Sequence, residues 1–197
     1  MRKITCDCEN PLDNILINIS DYMCPYAKKY NFTPNILTSI SLIFCGISAL
    51  LLINHNYLFA AFMYLISYYF DCMDGHFARK YKMVTKFGDY YDHIADTIKV
   101  ILILYVLYNI DSKKFFIIIP FIILFIFLIF VHLGCQELYY DTIESDILNY
   151  SKNLCPVYNK NDKTSIVNIL RITRYFGCGT FTIFIMLVII YYGVNKK

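Results

Sequence analysis

The chain has 197 residues, of which 58% are hydrophobic and only 17% charged, with a formal net charge of +3. Soluble domains carry about a quarter charged residues, so the composition excludes a water-soluble globule and points to an integral membrane protein with one membrane domain. A net charge this small gives no ground for a nucleic-acid partner.

The opening, Met1-Arg2-Lys3-Ile4-Thr5-Cys6, lacks the apolar segment of a secretory signal, so the first membrane span is expected to serve for targeting. In residues 11–30, Leu12, Ile15, Leu16, Ile19, Met23 and Tyr26 recur at three- and four-residue spacing with polar residues between them. That pattern predicts an amphipathic helix lying on the bilayer surface. Asn10-Pro11 starts it, Lys28 and Lys29 suit its C-terminal end, and Pro34 forbids continuation. Residues 1–33 therefore read as a cytosolic segment and 34–194 as the membrane domain.

Apolar stretches follow at 35–53, 57–77, 88–108 and 115–133, each about long enough to cross a hydrocarbon core of roughly 30 Å. Residues 135–163 are mixed and polar and read as an extramembrane segment. The stretch 164–194 is too long for one upright helix and too short for two, and Gly177-Cys178-Gly179 is the natural break. The expected fold is an all-α polytopic bundle of five to six transmembrane helices preceded by the interfacial helix. With the N-terminus in the cytosol, thirteen Lys and Arg fall inside and four outside, Lys99 lying within a span. Eight cysteines stand at 6, 8, 24, 45, 72, 135, 155 and 178 without the paired spacing of a zinc site, and are expected to be free thiols facing a reducing cytosol.

The chemistry concentrates between Asp71 and Asp96. Asp71 and Asp74 are three apart near the cytosolic end of the second span, and Asp92 and Asp96 four apart near the start of the third, so each pair shares a helix face. The basic loop Arg79–Lys86 makes these helices antiparallel neighbours, which lets the pairs face each other. Four acids beside a membrane are costly unless cations neutralise them. Oxygen-only ligands point to Mg²⁺ or Mn²⁺, and two such ions can hold the attacking and leaving oxygens of a phosphoryl transfer. Arg79 follows the first pair, where its fork suits phosphate oxygens, and Gly75 and Gly88 allow close approach of a ligand to the backbone.

The pattern D-x2-D-G-x2-A-R-x8-G-x3-D-x3-D resembles the signature of the CDP-alcohol phosphotransferases at every fixed position, and Thr33-Pro34-Asn35-Ile36-Leu37-Thr38 resembles the segment opening their first span. The resemblance implies that Asp71, Asp74 and Asp92 ligate two metal ions and that Asp96 contacts a metal and serves as the base. It implies that Gly75, Ala78, Arg79 and Gly88 shape the cytidine diphosphate pocket, with Asn35, Thr38 and Thr85 approaching the nucleotide. A CDP-alcohol, a lipid or polyol acceptor, membrane lipid and a homodimer are the implied partners.

For the acceptor, Gly88-Asp89 with Asp92-His93 and the Pro34-Asn35-x-x-Thr38 opening resemble choline and ethanolamine phosphotransferases, which act with diacylglycerol. Asp74-Gly75-His76 and Phe87-Gly88 resemble the phosphatidylinositol synthases, which use CDP-diacylglycerol and inositol, but the arginine those carry after the fourth aspartate is Thr97 here. The first assignment is taken, with the second as its alternative. Lys99, on the same helical face as Asp92 and Asp96, reads as a partner of Asp96 or a substrate-phosphate contact; Arg171, Arg174 and His93 are further candidates. A divalent-cation transporter and an inactive lipid-binding homologue are the readings from other classes. The acids near one membrane face and the complete motif count against them.

Overall fold

The computed structural model describes residues 4–140, 148–157 and 162–194. Among these residues, seven α-helices run in chain order: α1 Pro11–Lys29, α2 Pro34–Ile53, α3 Tyr57–Lys80, α4 Lys86–Ile110, α5 Ser112–Tyr140, α6 Lys163–Thr173 and α7 Cys178–Val194. Short 3-10 turns cover Leu148–Leu154 and Arg174–Phe176, and no strand occurs among the described residues. The chain divides into two compact units, Leu16–Pro120 with Thr182–Lys197, and Arg2–Ile15 with Phe121–Phe181.

In the first unit α2 and α3 pack antiparallel. Thr38 meets Asp74, Ser41 meets Ser67, and the Ser48 hydroxyl donates to the Ala60 carbonyl, so contact positions fall on α3 as they rise on α2. The buried residues of this seam include Ser41, Ser48, Ala49, Ala60, Ala61 and Ser67, small side chains that let two helices approach closely where no water drives them together. α4 lies against α2 through Cys45, whose thiol reaches the Lys99 carbonyl. Both helix starts at the site end are capped. Thr33 Oγ1 accepts from Ile36 N ahead of Pro34, and Thr85 Oγ1 accepts from Gly88 N. Asn31, His55 and Lys82 take up left-handed backbone in the three connections between α1 and α4. α1 buries Leu16, Ser20 and Cys24 and leaves Ile15, Ile19, Tyr22, Met23 and Tyr26 exposed, the outer apolar face that an interfacial helix offers to lipid.

In the second unit Ile4, Cys8, Cys135, Cys155, Ile166 and Leu170 form a core. Cys135 and Cys155 form a disulfide there, which corrects the expectation of free thiols throughout. Twenty residues apart in sequence, the two are buried side by side with Cα atoms 4.9 Å apart, within bonding reach. α5 continues to Tyr140, seven residues beyond the expected end of its span, because the polar turn is satisfied internally. The Gln136 side chain pairs with His132 at 2.9 Å, and His132 pairs with Thr173 at 3.0 Å.

Among the described residues, four stretches are long and apolar enough to cross a membrane: Pro34–Ile53, Lys86–Ile110, Ser112–Tyr139 and Lys163–Val194. They fit a multi-pass membrane protein. The expected count was five to six. α3 falls outside by composition, since Asp71, Asp74 and four tyrosines dilute its apolar half, while it packs antiparallel along α2. The last stretch breaks at Gly177 into α6 and α7, so it supplies one crossing helix, not two.

Candidate active site

The N-terminal end of α2, the C-terminal part of α3 and the N-terminal part of α4 meet in the first unit, and the signature residues are carried there. Carboxylate oxygens of Asp71, Asp74 and Asp92 lie within 4.8 Å of one another, and so do ligand atoms of Asp92, His93 and Asp96. The two acid pairs do face each other across α3 and α4. Asp74 is buried at 4% exposure and accepts a 2.5 Å hydrogen bond from the Thr38 hydroxyl. Asp92 Oδ1 is buried with no hydrogen-bond partner. A buried, partnerless oxygen on one of three converging carboxylates is a costly arrangement in protein alone and a good one around a hard cation. The donor set therefore fits a divalent metal.

Around the acids, the Arg79 guanidinium lies over Gly75, with Nη1 3.4 Å from where a Cβ would stand. A Cβ on Gly88 would come within 3.0 Å of Thr85 Oγ1 and 3.3 Å of Asn35 Oδ1, so the bare glycine lets the starts of α2 and α4 close on each other. Asn35, Thr38, Asp71, Asp74, Gly75, Arg79, Thr85, Gly88, Asp92 and Asp96 thus occupy one end of the α2–α4 bundle. Ala78 is half-buried, and its carbonyl accepts from Met83 N in the turn before α4. His93 Nε2 lies 3.4 Å from Asp89 Oδ1.

Lys99 lies deeper in the same cluster. Its ammonium pairs with Asp71, stands 2.8 Å from Asp96 Oδ1, and donates to Ser41 Oγ at 3.0 Å. Arg171 and Arg174 belong to the second unit. Arg171 donates through Nε and Nη2 to Asp7 Oδ2, and Arg174 donates to the Asp7 carbonyl.

The sequence pattern of the CDP-alcohol phosphatidyltransferase family matches residues 31–193. The chain belongs to that family. Its members are transferases of phosphate-containing groups, and the family generally uses a divalent metal. A relative named only as an uncharacterized protein of Aquifex aeolicus (strain VF5) is 32% identical over 71 residues, which span 36% of this chain and 36% of that protein. No solved structure matches the chain.

A network missing from the sequence reading ties α1 to the family motif. His76 Nε2 lies 2.8 Å from Asp21 Oδ1, and Lys80 Nζ donates to the same oxygen at 2.7 Å and to the Asp21 carbonyl at 3.3 Å. The Lys80 ammonium, and after it His76, holds the Asp21 carboxyl down to about 2. His76 is thus buried toward α1 and not toward the acids. The sequence signal was slight: Asp21 is one acid on the polar side of an amphipathic helix, and nothing local names its partner 55 residues away.

Proposed function

We propose that the chain transfers a phospho-alcohol group from a CDP-alcohol to an acceptor hydroxyl and releases CMP. The observation that carries this reading is the convergence of Asp71, Asp74 and Asp92, with Asp92 Oδ1 buried and partnerless and Arg79 lying over Gly75, in a chain of this family. Asp71, Asp74 and Asp92 would hold the divalent cation, Mg²⁺ or Mn²⁺, which when bound neutralises the diphosphate and polarises its phosphorus. Thr38 fixes the carboxylate of Asp74. Arg79, lying over Gly75, grips phosphate oxygens as a fork, and Ala78, Asn35, Thr85 and Gly88 at the same end of the bundle border the nucleotide.

Asp96 has its side chain 46% exposed, against 18% for Asp71, and is the acid an incoming hydroxyl can reach. It takes the proton as the acceptor oxygen bonds to the phosphorus on the alcohol side; the bond from that phosphorus to the bridging oxygen breaks, and CMP carries the electron pair away. The position of the acids in the last part of α3 and the first half of α4, near one end of the bundle, supports an enzyme over a transporter.

For the acceptor we favour CDP-choline or CDP-ethanolamine with diacylglycerol. His93 sits with Asp92 and Asp96, whereas His76, one of the residues in the likeness to phosphatidylinositol synthases, is buried against Asp21. A two-by-two assay of CDP-choline or CDP-diacylglycerol against diacylglycerol or inositol decides it. Phosphatidylcholine with CMP is the expected product, and phosphatidylinositol alone would reverse the assignment.

The charge bias places the acid end of the bundle in the cytosol. The Cys135–Cys155 bond pulls the other way, because disulfides persist in oxidising compartments, but thirteen cations against four outweigh one buried pair. With the native free cysteines replaced, single cysteines at Lys82 and Lys113 are expected to label from opposite faces of sealed vesicles. Labelling from the same face overturns the topology.

A further inference from the structure

Lys99 is a buried cation already seated among the acids, in a cluster that the signature assigns to two metal ions. An ammonium has three N–H donors. Those of Lys99 meet three oxygens from three helices: Ser41 of α2, Asp71 of α3 and Asp96 of α4. Lys99 is buried, at 7% exposure. Ligand atoms lie within 4.8 Å of one another in two groups, Asp71 with Asp74 and Asp92, and Asp92 with His93 and Asp96, and in the second the Asp96 carboxylate is already paired with this ammonium.

We propose that Lys99 stands in for one of the two divalent ions, so that the resting chain binds a single ion on Asp71, Asp74 and Asp92 while Lys99 holds Asp96 and the inner oxygen of Asp71. The inference rests on the metal-dependent reading above. The charges agree with it. Four carboxylates are balanced by one dication, the Lys99 ammonium and the Arg79 guanidinium, whereas a second dication would leave two positive charges in excess before any diphosphate entered. Lys99 is in this sense a positioning residue. Its ammonium, 2.8 Å from Asp96 Oδ1, orients that carboxylate for the acceptor hydroxyl.

The test is the number of ions bound by the full-length, detergent-solubilised protein without nucleotide, read from the free Mn²⁺ signal by electron paramagnetic resonance as Mn²⁺ is titrated in. One ion per chain is expected, rising to two in Lys99→Met, where four carboxylates lose their built-in cation, and remaining one in Lys99→Arg. Two ions on the unmutated chain, or one on both it and Lys99→Met, would overturn the inference. The unmutated count decides the matter even if Lys99→Met does not fold. Two ions together with Mg²⁺-dependent CMP release would sink this inference and leave the transferase standing. No ion and no CMP release would sink both.

Discussion

Asp92→Asn is expected to lower CMP release at saturating Mg²⁺ by at least about a thousandfold, a barrier increase of about 4 kcal/mol at about 1.4 kcal/mol per decade. The same variant should insert, fold and melt no lower than the unmutated protein. Both halves follow from one observation, the buried Asp92 Oδ1 without a protein partner. An amide there removes a charge that the cation needs and breaks no hydrogen bond from that oxygen, and in the metal-free chain it relieves repulsion from Asp71 and Asp74. The other acids do not separate the effects so well. Asp71→Asn takes a partner from the Lys99 ammonium, and Asp74→Asn disturbs the bond from Thr38. Breaking a buried ionic partnership costs about 3 kcal/mol or more, so lost activity in those variants is mixed with lost packing. Turnover near the unmutated rate in a correctly inserted Asp92→Asn protein would remove this aspartate from the site.

What the sequence made legible was local. Thr33-Pro34 and Thr85 read as helix starts and cap α2 and α4. The three- and four-residue spacing of the acids put each pair on one face, and the short loop at 81–85 returns the chain so that α4, like α3, packs on α2 and the acids of the two helices converge, although α3 and α4 were expected to be direct neighbours. The pairings that sequence left open are those fixed by how one helix is rotated against another. Ser41 lies 58 residues from Lys99, and Asp21 lies 55 from His76. Spacing along α4 offered Asp96 to Lys99, but only the seating of α2 and α3 adds Ser41 and Asp71 and makes the lysine part of the cluster. The Cys135–Cys155 bond was hidden for the same reason, because two isolated cysteines in a polar stretch give no sign of sharing a core. α3 shows the converse limit: the residues that carry the chemistry lower its apolarity, so the helix most important to the site is the one that composition alone does not count as a span.

Chelation is expected to stop CMP release completely, and Mg²⁺ or Mn²⁺ to restore it, whereas Ca²⁺ and Zn²⁺ do not. The loss should be reversible. With the divalent ion gone, Lys99 still pairs with Asp71 and Asp96 and Thr38 still donates to Asp74, so the cluster keeps its shape for reloading. The choice among ions follows from the donors. Asp71, Asp74 and Asp92 offer carboxylate oxygens, and a small cation with a tight octahedral shell at about 2.1 Å completes it with water and diphosphate oxygens. Ca²⁺ takes six to eight oxygens at about 2.4 Å and would hold the phosphate too far from Arg79 and Asp96. Zn²⁺ seeks nitrogen and a tetrahedral set, and His93 between Asp92 and Asp96 offers one that draws both acids away from their roles. Zn²⁺ should therefore inhibit even when Mg²⁺ is present, and His93→Ala should blunt that inhibition. Full turnover in excess chelator would take the metal out of the reaction, and Zn²⁺ activation equal to that of Mg²⁺ would mean that His93 belongs to the working ligand set.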